Sequence, residues 1–219
     1  KRQGLHVTII DDSVVREPNL VRQRFWPCDL GQYKAISLAN RYNLLLGMKW
    51  EGLPYRFPSR ATDDAIGKAD LIISAVDLPS ARVAIGACEA VKHNCMWLDL
   101  GNGHRHGQVV FGGINKVMRD RFPNVLDAYP EIPLLEDDHT KSCSTAESIR
   151  TQDCLVNRAV TTAGMGIVWE LLRTGETSKH WLVLNLGTGE QMSYPFPPPA
   201  PKQPKATGKK GKVSKLRKV

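Results

Sequence analysis

No apolar run in this chain is long enough to span a bilayer, and no charged-then-apolar leader opens it, so neither an anchor nor a secretory signal is expected. The first residue is Lys1, and the run Leu5–Ile10 follows almost at once. The chain therefore reads as an N-terminally incomplete cytoplasmic protein with no membrane partner. Cysteine is sparse and badly spaced for a scaffold. Cys28, Cys88, Cys95, Cys143 and Cys154 form no C-x-x-C pair and no even framework, which excludes a paired-cysteine zinc site and argues for reduced thiols. No internal repeat is present. The last 25 residues contain no acid.

That last absence explains the charge. The formal balance of +8 suggests a nucleic-acid binder until the eight basic residues of 195–219 are set aside: Lys202, Lys205, Lys209, Lys210, Lys212, Lys215, Arg217 and Lys218. The remainder holds 22 basic against 22 acidic residues. A neutral body over 1–194 and a disordered Pro/Lys-rich tail over 195–219 are expected, the tail capable of weak, nonspecific nucleic-acid contact. With 42% hydrophobic and 24% charged residues, the body can bury one sizeable core.

Short apolar, β-rich runs alternate with helical periodicity, the pattern of an α/β, Rossmann-like, mostly parallel sheet flanked by helices. Leu5–Ile10 is the first strand. Asp29, with Gln32 three residues on, is expected to cap a helix whose stripe is Ala35, Leu38, Ala39, Tyr42, Leu45 and Leu46, with Lys34 in its first turn. Leu71–Val76 is a strand ending in Asp77, and Pro79 opens the next helix, with Ala81, Ala84, Ile85, Cys88 and Val91 as its buried stripe. Met96–Leu100 and Gly107–Gly112 are further strands. A long helix is expected over Cys154–Leu172, then a closing hairpin of Trp181–Leu186 and Gln191–Tyr194 around Gly187-Thr188-Gly189.

Several residues carry chemistry in this frame. Asp11 closes an apolar strand, where a carboxylate takes ribose hydroxyls or is simply a loop acid. Arg22 supplies a planar fork and Lys34 a compact charge at a helix start, both suited to phosphate, with Asn19 and Gln23 in the loop between. Asp77 stands at the carboxyl end of its strand, where it either holds Mg²⁺ against nucleotide phosphates or caps the helix opened by Pro79. His104 and His106 have metal-pair spacing but no third ligand, and are read as solvated. Cys143 precedes a capping box of Ser144 and Glu147, which favours a reactive thiolate, whereas Glu136, Asp137 and Asp138 oppose one. Catalytic and incidental readings of Cys143 stay open.

Taken together, D-x₃-V-x₃-N-L-x-R-Q from Asp11 to Gln23, D-L-G-x-x-K from Asp29 to Lys34, a strand ending at Asp77 with Arg82 five residues on, and Gly107-Gln108 before another strand resemble the ThiF/MoeB/HesA group of ubiquitin-activating-type adenylating enzymes. The likeness covers Leu5 to Gly112. Glu136-Asp137-Asp138, the run Ser142–Glu147, Gln152-Asp153, Val156-Asn157, Trp169 and the segment 182–190 are similar to the ThiF-family proteins of plasmid PRTRC gene clusters. The resemblance implies ATP and Mg²⁺ as cofactors. Asp11 would hold the ribose, Asn19, Arg22 and Lys34 would surround the phosphates, and Asp77 would hold the metal.

In that family the C-terminal carboxylate of a ubiquitin-like or sulfur-carrier protein attacks the α-phosphate of ATP, giving an acyl-adenylate and pyrophosphate. Arg22, Lys34 and Asp77 would then be the catalytic set, with Cys143 falling where some members take the acyl group as a thioester. A homodimer is implied too. Three departures stand out: the family's first strand and glycine-rich loop belong before Leu5, its N-terminal arginine is not seen, and its Asp-Asn pair reads Asp77-Leu78. Two other readings compete. An NAD-dependent Rossmann oxidoreductase would use Asp11 equally well but has no need of both Arg22 and Lys34. A non-catalytic, nucleic-acid-associated plasmid protein would act through residues 195–219.

Overall fold

The computed structural model describes residues 4–137 and 155–198, with backbone alone at Val21 and Arg22. Cys143, the Ser144/Glu147 box, Asp138 and the chain from residue 199 onward lie outside those residues.

The N-terminal elements form a small parallel pair. Strand β1 (Thr8–Ile10) runs beside β2 (Glu51–Leu53), with Thr8 opposite Glu51 and Ile10 opposite Leu53. The chain between them makes helix α1 (Glu17–Arg22), a 3₁₀ turn over Pro27–Asp29 and helix α2 (Lys34–Leu46), which packs on both strands. Ala35 and Ala39 are buried as their periodicity predicts, but Leu45 and Leu46 are exposed. The two strands are only three residues long, so they cover α2's first turns and leave its end in solvent.

Asp29 also departs from expectation. It does not cap α2, whose N-cap is Tyr33. It is buried instead, accepting hydrogen bonds from the Trp26 amide (2.7 Å), the Ser37 hydroxyl (2.6 Å) and the Arg41 guanidinium. Burial alone would raise its pKa, yet the bonds from Ser37, Trp26 and Arg41 outweigh it and hold the carboxyl below its ordinary 3.8.

The rest of the chain follows as α3 (Asp63–Lys68), β3 (Leu71–Ser74), α4 (Pro79–Gly86), β4 (Met96–Asn102), β5 (His106–Gly113), α5 (Lys116–Arg119), α6 (Val125–Ala128), α7 (Val156–Thr174), β6 (Lys179–Asn185) and β7 (Glu190–Pro195). Five strands make one sheet in the order β3-β4-β5-β6-β7. The α/β class is the expected one. Parallel pairing, however, is confined to β1–β2 and β3–β4, while β4 through β7 pair antiparallel. Short hairpins join β4 to β5 and β6 to β7, and a tight turn can only return the chain antiparallel.

Alternation along β5 sorts the core into two layers. Val109 and Phe111 face α7, packing with Leu98, Val160, Ile167 and Leu182. Val110 faces the other way, onto Trp97, Ile85 of α4, Val125 of α6 and Ile132. Phe196 still belongs to this body, with its ring 5.0 Å from Phe122 and 4.9 Å from His180. Among the described residues, no strand ladder joins β1 to β3. No described helix is long and apolar enough to cross a membrane.

Candidate functional site

The carboxyl end of β1 is built by backbone. The Asp11 amide donates to Leu53 O (3.2 Å), which carries the ladder one residue past the strand. The Asp11 side chain then turns back: Oδ1 accepts from the Ser13 amide (2.8 Å) and from the Ser13 hydroxyl. This is the local aspartate turn that short polar side chains favour. Oδ2 takes no hydrogen bond from a described residue.

Ser13 is the hinge to the second half of the motif. Its carbonyl accepts from the Lys34 amide (2.9 Å), Val15 donates to Gln32 O (2.8 Å), and Gly31 donates to Val15 O (3.0 Å). Val14 and Tyr33 face each other in an antiparallel bridge. Gly31 has φ +80°, a left-handed conformation that glycine adopts without strain. The Asp-Leu-Gly-x-x-Lys spacing therefore pins the start of α2 beside the Asp11 turn. The Asp11 turn and the Lys34 backbone are thereby joined through Ser13, and the ammonium of Lys34 has no hydrogen bond or ion pair among the described residues. Gly52 completes the arrangement, since a Cβ there would lie 2.6 Å from Ala35 O, so only glycine lets α2 sit this close to β2.

Asn19 lies in the same unit, on α1. Its Oδ1 accepts from the Arg16 amide (2.9 Å), so half of the side chain is spent on the helix start. Arg22 ends α1, and its side chain lies outside the described residues.

Asp77 belongs to the other sheet. It is exposed, three residues beyond β3, and makes no hydrogen bond or ion pair among the described residues. No described contact joins it to Asp11, Asn19 or Lys34. What the two groups share is position: each acid follows the carboxyl end of a parallel strand, the edge at which open α/β sheets take ligands. Asp77 as a lone protein ligand suits Mg²⁺, which keeps waters and phosphate oxygens in its shell. Helix α4 begins at Pro79, as expected, but its N-terminus is capped from afar. Asp137 accepts from the Ser80 amide (3.0 Å) and hydroxyl (2.5 Å).

Beneath this loop lies a buried group that the motif pattern does not reveal. Asp99 is fully buried and accepts from Arg82 Nε (3.0 and 3.1 Å) and the Ser74 hydroxyl (2.6 Å), while Trp97 Nε1 donates to Ser74 (2.7 Å). Burial pushes the Asp99 carboxyl above 3.8, and Arg82 and Ser74 offset only part of that. Arg82 thus ties α4 to β4, and its guanidinium points at Asp99. The signal was legible as a lone acid inside the apolar run Met96–Leu100.

His104 and His106 are exposed. Cys88 is only half-buried, because α4 stops at Gly86 and the helical period ends before it. The buried thiol is Cys95, raised by burial and Asp70 to about 11. Two hollows, of about 350 and 560 Å³, open elsewhere, one beside Cys88 and one between α7 and β6.

No family model and no curated protein matches this chain. Solved structures do resemble it. Escherichia coli MccB crystallised with ATP superposes with a TM-score of 0.62 at 13% identity, over 87% of this chain and 56% of that one. MccB with AMPCPP and selenomethionine MccA gives the same figures. PaaA gives 0.58 at 17% identity, over 87% of this chain and 64% of its own. The chain spans little more than half the length of MccB, and at these identities the likeness establishes the fold.

Proposed function

We propose that this chain is the nucleotide-binding part of a cytoplasmic, ATP-dependent adenylating enzyme that activates the C-terminal carboxylate of a ubiquitin-like or sulfur-carrier protein. The observation that carries the reading is the Asp11–Ser13–Lys34 arrangement, in which Ser13 donates to the Asp11 carboxylate and accepts from the Lys34 backbone amide at a parallel strand's carboxyl end, within a fold shared with a protein crystallised with ATP.

The strand arrangement supports it. A doubly wound sheet of order 3-2-1-4-5 would be matched by β2-β1, one strand not among the described residues, then β3-β4. The family resemblance supplies that strand, ending in a glycine-rich turn. Strands lie about 4.8 Å apart, so β1 and β3 would stand roughly 10 Å from each other, with Asp11 and Asp77 on either side of one nucleotide.

Each residue then has a role. Asp11 Oδ2 accepts from the ribose hydroxyls, and Lys34 with Arg22 neutralises the phosphates, assisted by the Asn19 amide nitrogen. Asp77 holds Mg²⁺, which supplies charge neutralisation at the phosphates. The carrier's carboxylate oxygen bonds to the α-phosphorus, the bond to the bridging oxygen breaks, and its electron pair leaves with pyrophosphate. The protein's contribution is alignment and neutralisation of developing charge. Cys143 as a thioester acceptor and the narrower PRTRC placement extend the same proposal, resting on the motifs between Glu136 and Glu190. The test is carrier-dependent exchange of labelled pyrophosphate into ATP. Exchange that needs the carrier and falls with Lys34→Ala supports the reading, and absence of exchange with every ubiquitin-like candidate overturns it.

A further inference from the structure

The loop that carries Asp77 is four residues long, from Ala75 after β3 to Leu78 before α4. Both of its ends are tied to one buried carboxylate. Ser74, the last residue of β3, stands beside Asp99 in the parallel ladder and donates its hydroxyl to it (2.6 Å). Trp97 Nε1 donates to the same hydroxyl oxygen (2.7 Å), which fixes the direction of that bond. From the other end, Arg82 reaches back from α4 to both Asp99 oxygens (3.0 and 3.1 Å) and to Leu100 O (3.4 Å).

Stability does not explain an acid at this position. Asp99 is fully buried, so the pair gives up the hydration of its charges, and apolar side chains of similar volume generally do as well or better. What the pair supplies is a fixed geometry, with β3, α4 and β4 joined at one point. Nor is Asp77 spent on the helix start. The Ser80 amide donates to Asp137 (3.0 Å), and the Asp77 carboxylate stays exposed with no hydrogen bond among the described residues.

We infer that Asp99 is a positioning residue for Asp77: through Ser74 and Arg82 it sets the short loop in the conformation in which the Asp77 carboxylate meets a divalent cation. The inference deepens the nucleotide reading and rests on it. A ligand on a loop that is ordered beforehand loses less freedom when the cation binds.

Hydrogen exchange and titration calorimetry on the full 219-residue chain test it, with ATP binding followed at rising Mg²⁺. The double variant Asp99→Leu/Arg82→Met removes both charges together and is expected to keep the wild-type thermal midpoint within a few degrees. Without ligand, its amides at 75–78 are expected to exchange about tenfold faster. It is expected to need about tenfold more Mg²⁺ for half-maximal strengthening of ATP binding, with ATP affinity in the absence of metal unchanged. Ser74→Ala cuts one tie only, is expected to show the same two changes at about threefold, and replaces the double variant if that protein does not fold. An unchanged Mg²⁺ requirement in the folded variant overturns the inference, as does a raised requirement without faster exchange at 75–78. Asp77→Ala separates the two claims. If ATP does not bind, or if Asp77→Ala leaves the Mg²⁺ requirement unchanged, the nucleotide reading falls and the positioning role with it. A requirement raised by Asp77→Ala but not by the double variant overturns the positioning role alone.

Discussion

The N-terminal unit and the five-stranded body are built to different standards. Up to residue 56 the buried apolar side chains are Val15, Phe25, Ala35 and Ala39, on two strands of three residues, with Asp29 and its polar partners at the centre. The body buries Trp97, Leu98, Phe111, Ile167 and Leu184 between strands of four to eight residues and covers both faces of the sheet. So little buried apolar surface cannot offset much chain entropy. The residues proposed for the phosphates, Asn19, Arg22 and Lys34, therefore sit in the part of the molecule that opens most easily, and on that proposal a bound nucleotide would tighten it.

The largest expected effect is in the body. Arg82→Leu strands the buried Asp99 carboxylate without its partner, and chemical denaturation should register a loss of about 3–5 kcal/mol across the whole sheet. An unchanged midpoint would mean that Asp99 is not ionised there. Gly52→Ala acts on the other side of the comparison. It pushes α2 off β2 at a cost of about 1–3 kcal/mol, and hydrogen exchange should quicken in 8–53 while the amides of β4 and β5 keep their protection. Equal loss in both regions would show that they unfold as one.

Smaller still is the removal of the distant cap. Asp137→Ala should lower stability by about 1 kcal/mol, with faster exchange confined to the first turn of α4.

Acid separates the regions by sign. Asp29 has a lowered pKa, so its contribution is present above 3.8 and disappears as pH falls through the lower folded value. Asp99 has a raised pKa, so the folded body takes up a proton before the unfolded chain does and gains from acidification between its folded value and 3.8. Exchange monitored on descending pH should therefore show 4–56 loosening below 3.8 without a matching loss around β4. Parallel loss in both would refute the assignment of the two carboxyls.

Much of the architecture could be read from the chain. The β6–β7 hairpin follows from alternating residues around Gly187-Thr188-Gly189, and α4 begins where Pro79 says it should. Readings that failed did so where distant contacts decided. Asp29 with Gln32 has the spacing of a capping box, but Ser37 and Arg41 draw the carboxylate inside, and the helix starts five residues later. Cys88 continues a periodic stripe that α4 does not extend to meet. At the site, the nearness of Asp11 and Lys34 was legible from motif spacing. Ser13, which joins them, was signalled only by the Asp-x-Ser pattern, and the Asp137–Ser80 tie spans 57 residues with no local mark.

The central claim is that Asp11 and Asp77, on separate sheets, serve one nucleotide. Titration calorimetry with ATP and Mg²⁺ on the wild type, Asp11→Ala, Lys34→Ala and Asp77→Ala proteins tests it directly. The account predicts one site per chain, weakened by all three substitutions, with Lys34→Ala losing about tenfold or more as a charged phosphate contact does. Full-strength ATP binding by Asp77→Ala beside a loss in Asp11→Ala would contradict it.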